Sequence, residues 1–146
     1  MWFVMNKQFR IYKANSQKNG TAMSVDINKE KQSVFLEFAK QKPDDTFDWE
    51  KKLTMKLSLG ELAKICVLYK NKTAEVTLFH DPSKGEYKAN FKNAILKVSR
   101  GSNNYYIKLN QQELDGNLNS ILVNVTEEEM YSLCLIFDRM IQDSFM

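Results

Sequence analysis

The chain has little of what several protein classes require. Only two cysteines, Cys66 and Cys134, occur in its 146 residues. Both sit in apolar stretches and neither has a metal-ligand spacing, so a disulfide-stapled secreted fold and a thiolate metal site are excluded. Two small buried thiols in a reducing compartment are expected instead. Two prolines and five glycines are too few for a linker-rich or low-complexity chain. No apolar run approaches the roughly 18 residues that a membrane helix needs. The apolar start Met1-Trp2-Phe3-Val4-Met5 has no basic leader or small-residue cleavage site and is neither a signal peptide nor a span. No Gly-x-x-x-x-Gly-Lys phosphate loop is present.

What is present suits one packed domain over residues 1–146, with 43% hydrophobic and 27% charged residues. The net charge of +3 conceals an asymmetry. Residues 1–108 hold 20 Lys/Arg against 11 Asp/Glu, while residues 109–146 hold Arg139 against seven acids. A basic body favours polyanions, and an acidic terminal segment faces away from them.

Two segments 68 positions apart begin helices in the same way. Leu57-Ser58-Leu59-Gly60-Glu61-Leu62 and Val125-Thr126-Glu127-Glu128-Glu129-Met130 each place a hydroxyl cap three residues before a glutamate. The apolar pairs Leu57/Leu62 and Val125/Met130 have the spacing of a hydrophobic staple. The helices that follow also match: Leu62, Ile65, Cys66 and Tyr69 correspond to Met130, Leu133, Cys134 and Phe137. Upstream of each, alternating residues read as four strands: around 9–12, 23–27, 34–38 and 53–57, then 74–79, 87–98, 105–109 and 118–125. Turn signals such as Lys18-Asn19-Gly20 and Asp115-Gly116-Asn117 separate them. The expected fold is α+β: two ββββα repeats, about 7–70 and 73–142, forming two antiparallel four-stranded sheets with the helices packed on one side.

The uncovered faces combine cations and rings. Arg10, Tyr12 and Lys13 share the first strand, Lys18 follows in its turn, and Lys52 and Lys56 flank Thr54. Lys88 and Lys92 share the sixth strand, and Tyr106 and Lys108 the seventh. Phe38, Lys40 and Trp49 complete the candidate contacts. Cations hold phosphates and ring faces stack bases whatever their identity, so single-stranded nucleic acid is the expected partner. A lone lysine on a strand also serves as a solvated edge guard, and Phe35, Phe38 and Tyr105 equally suit a core or subunit interface. A structural oligomerisation module therefore stays open as a bland alternative.

Phe47-Asp48-Trp49-Glu50-Lys51-Lys52, leading into Leu57-Ser58 and Glu61, and then Phe79-His80-Asp81-Pro82-Ser83, resemble the Whirly family of single-stranded DNA-binding proteins. The Val-Thr-x-x-Glu helix start is similar too, so the likeness covers most of residues 9–142. It implies a doubled four-strand-plus-helix unit, related to that of the coactivator positive cofactor four. It also implies a homotetramer assembled through the helices, no cofactor, and sequence-tolerant binding of single-stranded DNA or, alternatively, RNA. Plant members carry Lys-Gly-Lys-Ala-Ala-Leu where this chain has Lys18-Asn19-Gly20-Thr21-Ala22-Met23, so assembly beyond the tetramer is not implied. A compact chain without a transit peptide fits a phage or bacterial relative acting in the cytoplasm, or an organelle protein after peptide removal.

Enzymatic readings have less support. His80 beside Asp81 lacks a third ligand, and Pro82-Ser83 makes the segment a turn that a histidine hydrogen bond would fix. Asp44, Asp45, Asp48 and Glu50 are a conceivable Mg²⁺ cluster, but no partner carboxylates recur elsewhere. No catalysis is expected.

Overall fold

Period-two alternation and helix capping account for most of the elements in the computed structural model, which describes residues 8–28, 30–82 and 91–145. Strands β1 (Gln8–Lys13), β2 (Thr21–Asn28), β3 (Ser33–Lys40) and β4 (Leu53–Leu57) pair antiparallel in chain order, and helix α1 (Leu59–Asn71) follows. Strands β5 (Glu75–His80), β6 (Phe91–Arg100), β7 (Asn104–Glu113) and β8 (Leu118–Thr126) repeat the arrangement before helix α2 (Glu127–Asp143). The inner faces carry Ile11, Met23, Leu36, Phe38 and Met55 in one sheet and Leu78, Leu96, Leu109 and Val123 in the other. These join Leu62, Ile65, Met130 and Phe137 of the helices in one continuous core. Each such side chain stabilises the fold by about 1.5–3 kcal/mol when fully buried.

Two stretches differ from the sequence reading. β7 runs on to Glu113 through Gln111 and Gln112, which have no apolar alternation. Neighbours on both sides hold them, because Gln111 pairs with Ala94 and Asn119, and Gln112 with Asn93 and Leu118. β6 is described only from Phe91, so the expected start at Tyr87 lies outside the described residues. At the β1–β2 turn, Gly20 is required by close approach, since a Cβ there would sit 2.0 Å from the Lys13 carbonyl oxygen.

Both capping boxes form. The Ser58 hydroxyl accepts from the Glu61 N–H, and Glu61 accepts from the Ser58 N–H; Thr126 and Glu129 do the same. Each box is then engaged by the other repeat. Lys13, the last residue of β1, pairs with Glu129 at 2.7 Å, and His80, the last residue of β5, meets Glu61 at 2.7 Å. The lone histidine thus ties a strand to a helix cap, whereas a turn-fixing bond had been expected. Equivalent helix positions also meet across a pseudo-twofold. The Cys66 thiol lies 3.7 Å from the Cys134 carbonyl, and Lys70 pairs with Asp138 at 2.9 Å. Both cysteines are free and buried. The Cys134 contact, burial and nearby Asp138 push the Cys66 thiol up, away from the reactive thiolate.

Burial alone would raise the Glu61 carboxyl. The bonds from His80 and Ser58 outweigh it and hold the group below its ordinary 4.5; Lys13 and Thr126 do the same for Glu129. A depressed folded value contributes stability above the unfolded value and loses it as pH falls through the folded one. Glu61→Gln and Glu129→Gln should each lower the unfolding free energy at pH 7 by about 1–2 kcal/mol. In urea titrations the deficit should shrink as pH drops below 4.5; a pH-independent deficit would show that the charge is not involved.

Candidate nucleic-acid interface

The outward face of the first sheet is arranged in cross-strand rows. Arg10 stands opposite Ser24, then Glu37 and Thr54; Gln8 opposite Asp26, Phe35 and Lys56; Tyr12 opposite Ala22 and Ala39. Ala22, Ser24 and Ala39 are fully buried although they face outward. The segment between β3 and β4 accounts for this by folding back along β3. Phe47 bridges to Gln41, and the Asp48 N–H donates to the Lys40 carbonyl at 2.9 Å. Asp48 then caps a short 3₁₀ turn, Trp49–Lys51. The Phe47 ring lies 5.4 Å from Tyr12, and the Arg10 guanidinium lies over Trp49, 4.6 Å from the ring centroid. Small side chains at 22, 24 and 39 leave room for this layer.

Carboxylates also lie on this face. Glu37 is nearly buried and ion-paired to Lys52. Burial pushes its carboxyl up and the bond to Asp26 adds to that, against the pull of Lys52. Asp26 in turn accepts from the Ser24 hydroxyl at 3.3 Å.

The second sheet is more open, because only the short Asp115–Asn117 turn joins β7 to β8. Its outward rows are Phe79, Ile95, Asn110 and Ser120; Thr77, Lys97, Lys108 and Leu122; and Glu75, Ser99, Tyr106 and Asn124. Phe79 is 57% exposed, Leu122 42% and Tyr106 37%. Lys97 stands directly opposite Lys108. Like charges so placed destabilise a bare sheet and favour an anion over it. Glu75 offsets only part of this, at 3.2 Å from Lys97.

The expected contacts divide accordingly. Arg10, Tyr12, Lys52 and Lys56 share the first outward face, and Tyr106 and Lys108 the second. Lys13 does not join Arg10 and Tyr12, because strand alternation turns it inward to Glu129. Phe38 is no base platform: it is fully buried in the core opposite Met23 and Leu53. Lys18 pairs with Asp45 in the neighbouring loop. Trp49 is half-buried behind Arg10. Lys40 is exposed at the rim of a cleft of about 480 Å³ between the sheets, where Lys51, Lys52, Gln111, Glu113 and Asn119 surround the apolar Leu53 and Ile121. Lys92 is exposed at an irregularity in β6, and Lys88 lies outside the described residues. Lys97 and Phe79 share the outward face of the second sheet but were not among the expected contacts. The alternation that picked out Lys108 would have found both, since 77, 79, 95 and 97 share its face. The acidic residues 44, 45 and 48 are engaged separately with Thr46, Lys18 and the 3₁₀ turn. Among the described residues no group of three or more His, Cys, Asp or Glu is placed to hold a metal ion.

The Whirly transcription factor family model matches residues 8–135. The chain belongs to the Whirly family. A comparison with curated proteins gave no match. Among solved structures, WHY1 from Arabidopsis thaliana is 22% identical with a TM-score of 0.74, covering 94% of this chain and 89% of that one. The plant transcriptional regulator PBF-2 is 22% identical, with a TM-score of 0.75 and coverages of 94% and 81%. A guide-RNA-binding protein complex bound to a guide RNA shares the fold at 13% identity, with a TM-score of 0.71 and coverages of 97% and 94%. The doubled sheet-and-helix unit of this Whirly chain is thus the fold of those proteins, and its family is one of single-stranded DNA-binding transcription regulators.

Because Phe38 fills the core of the Whirly fold, Phe38→Ala should cost about 3–5 kcal/mol of stability. A folded fraction of the variant, measured below its melting temperature, should bind nucleic acid as the parent does. Weakened binding with unchanged stability would return Phe38 to the interface.

Proposed function

We propose that this Whirly chain binds and protects single-stranded DNA with little sequence preference, during replication, recombination, repair or transcription control, and acts by binding without catalysis. The observation that carries this reading is the open outward face of the second sheet, where Phe79 and Tyr106 flank the facing Lys97 and Lys108. Rings stack bases without reading them, at about 1–3 kcal/mol per base, and the facing lysines need an anion. The first sheet supplies Lys52, Lys56, Tyr12 and Arg10 on its own outward face. A groove binding one extended strand matches such platforms better than a duplex, whose bases are already stacked.

Fluorescence anisotropy with single-stranded DNA, duplex DNA and RNA across a salt series tests this. Single strands should bind best, with a log–log salt slope near −0.7 per phosphate neutralised. Replacing Lys97 and Lys108 together by Ala should weaken binding and make the slope shallower by about 1.4. Failure to bind any nucleic acid at low salt would leave only an oligomerisation role. An RNA-binding reading draws support from the guide-RNA-binding protein complex of the same fold, which is bound to a guide RNA, and tighter binding to RNA than to DNA would favour it.

We also propose that copies assemble through the helices, as four by family resemblance. Val67, Tyr131 and Leu135 are about half exposed on α1 and α2, apolar residues that a second copy would cover. In the same reading the chain works in a reducing compartment such as the cytoplasm, which suits its free thiols. Leu135→Glu should reduce the mass measured by light scattering to that of a smaller species with the fold retained, and an unchanged mass would place the interface elsewhere.

A further inference from the structure

We propose that Arg10 is a base-stacking platform, an extra planar surface made by a guanidinium held over the Trp49 ring, and not a phosphate contact. The proposal rests on the single-strand-binding reading and assigns one residue a specific role within it. Three observations support it.

The first is fixation. Arg10 lies over the indole at 4.6 Å, its Nε donates to the Ser24 hydroxyl at 3.4 Å, and its Nη1 donates to the Tyr12 hydroxyl at 3.3 Å. Holding a long side chain at three points removes rotamer freedom before any ligand arrives. The second is order. Trp49 is half-buried and the Arg10 over it is exposed, so the guanidinium is the more accessible of the two groups. Guanidinium planes stack on aromatic rings, as nucleobases do. The Trp49 ring thus serves as a positioning residue that reaches a base only through Arg10.

The third is charge. A phosphate arriving at Arg10 would meet Asp26 and Glu37, which lie in the adjacent strand positions of the same outward face. Asp26 accepts from the Ser24 hydroxyl that itself receives the Arg10 Nε, and Ser24 pairs directly with Glu37. Arg10 and Lys52 are thus balanced by Asp26 and Glu37, which leaves little net positive charge here for a polyanion, while a neutral base loses nothing. Phosphates are better placed over the facing Lys97 and Lys108 of the second sheet.

The distinguishing substitution is Arg10→Lys, which keeps the positive charge and loses the planar surface. With single-stranded DNA it should reduce affinity about 5- to 150-fold, the range that one stacked base accounts for, while the salt slope stays that of the parent. Trp49→Leu should reduce affinity similarly, since the guanidinium loses its support. Trp49→Phe, which keeps a ring behind Arg10, should recover much of the loss and guards against a folding defect in the leucine variant. An abasic oligonucleotide of the same length supplies the second arm. It offers sugar and phosphate without bases, so the parent and Arg10→Lys should bind it equally. Arg10→Lys binding normal single-stranded DNA as tightly as the parent would overturn the proposal. So would a deficit of equal size on the abasic strand, which would make Arg10 a backbone contact. If the parent binds none of these oligonucleotides, the broader function fails and the platform with it, an outcome distinct from either of those.

Discussion

The structure depends on the packing of α1 against α2 around their pseudo-twofold. A four-stranded sheet with one helix has a single apolar face and too little to cover it. Here the two repeats cover each other, and equivalent positions meet where they touch: Cys66 with the Cys134 carbonyl, Lys70 with Asp138. The helix starts reinforce this reciprocally. Each capping glutamate serves both its own helix start and the first strand of the opposite repeat: Glu61 with one oxygen for each, Glu129 with the same Oε1 for both. Separating the repeats would therefore expose both halves of one core and unpair both caps at once. One cooperative unit is the consequence, with its inner faces committed and its outward faces free to diverge.

They have diverged. The first repeat spans β3 to β4 with a segment that carries Phe47 and Trp49, and this folds over the sheet as an aromatic layer, made possible by Ala22, Ser24 and Ala39 beneath it. The second repeat joins its last two strands by a short turn and leaves Phe79, Tyr106 and Leu122 uncovered. A duplicated scaffold thus presents one preorganised and partly acidic face and one open and basic face. The two faces therefore differ in kind: one carries a cation held over a ring, the other rings beside two facing cations.

Much of this was legible from particular residues. The capping boxes at Ser58–Glu61 and Thr126–Glu129 were readable because a cap is closed by atoms three residues apart. Lys52, Lys56, Tyr106 and Lys108 were placed on outward faces because neighbouring apolar residues fix strand parity. The same parity argued against Phe38, which shares its face with Val34 and Leu36, and against Lys13, which shares its face with Ile11; both were proposed as contacts on residue type alone. Parity would also have pointed to Lys97, which was not among the expected contacts. The β7 extension through Gln111 and Gln112 had no such signal, since strand pairing on both sides and not side-chain pattern holds it.

The sequence by itself determined the repeat, the helix starts, the strand faces and the family, all of which rest on spacings within a few residues or on motifs read directly. Only the tertiary structure decided which cations are already committed and which rings are within reach. Lys13, Lys18 and Lys52 look alike along the chain, yet each meets a carboxylate from a different part of it: Glu129, Asp45 and Glu37. Trp49 reads as an exposed aromatic beside lysines and becomes the support for Arg10 once its loop folds back. The physical reason is common to all of them. Local structure follows from neighbours within about one turn or one strand pair, whereas burial, ion pairing and stacking follow from which distant segments the core brings together.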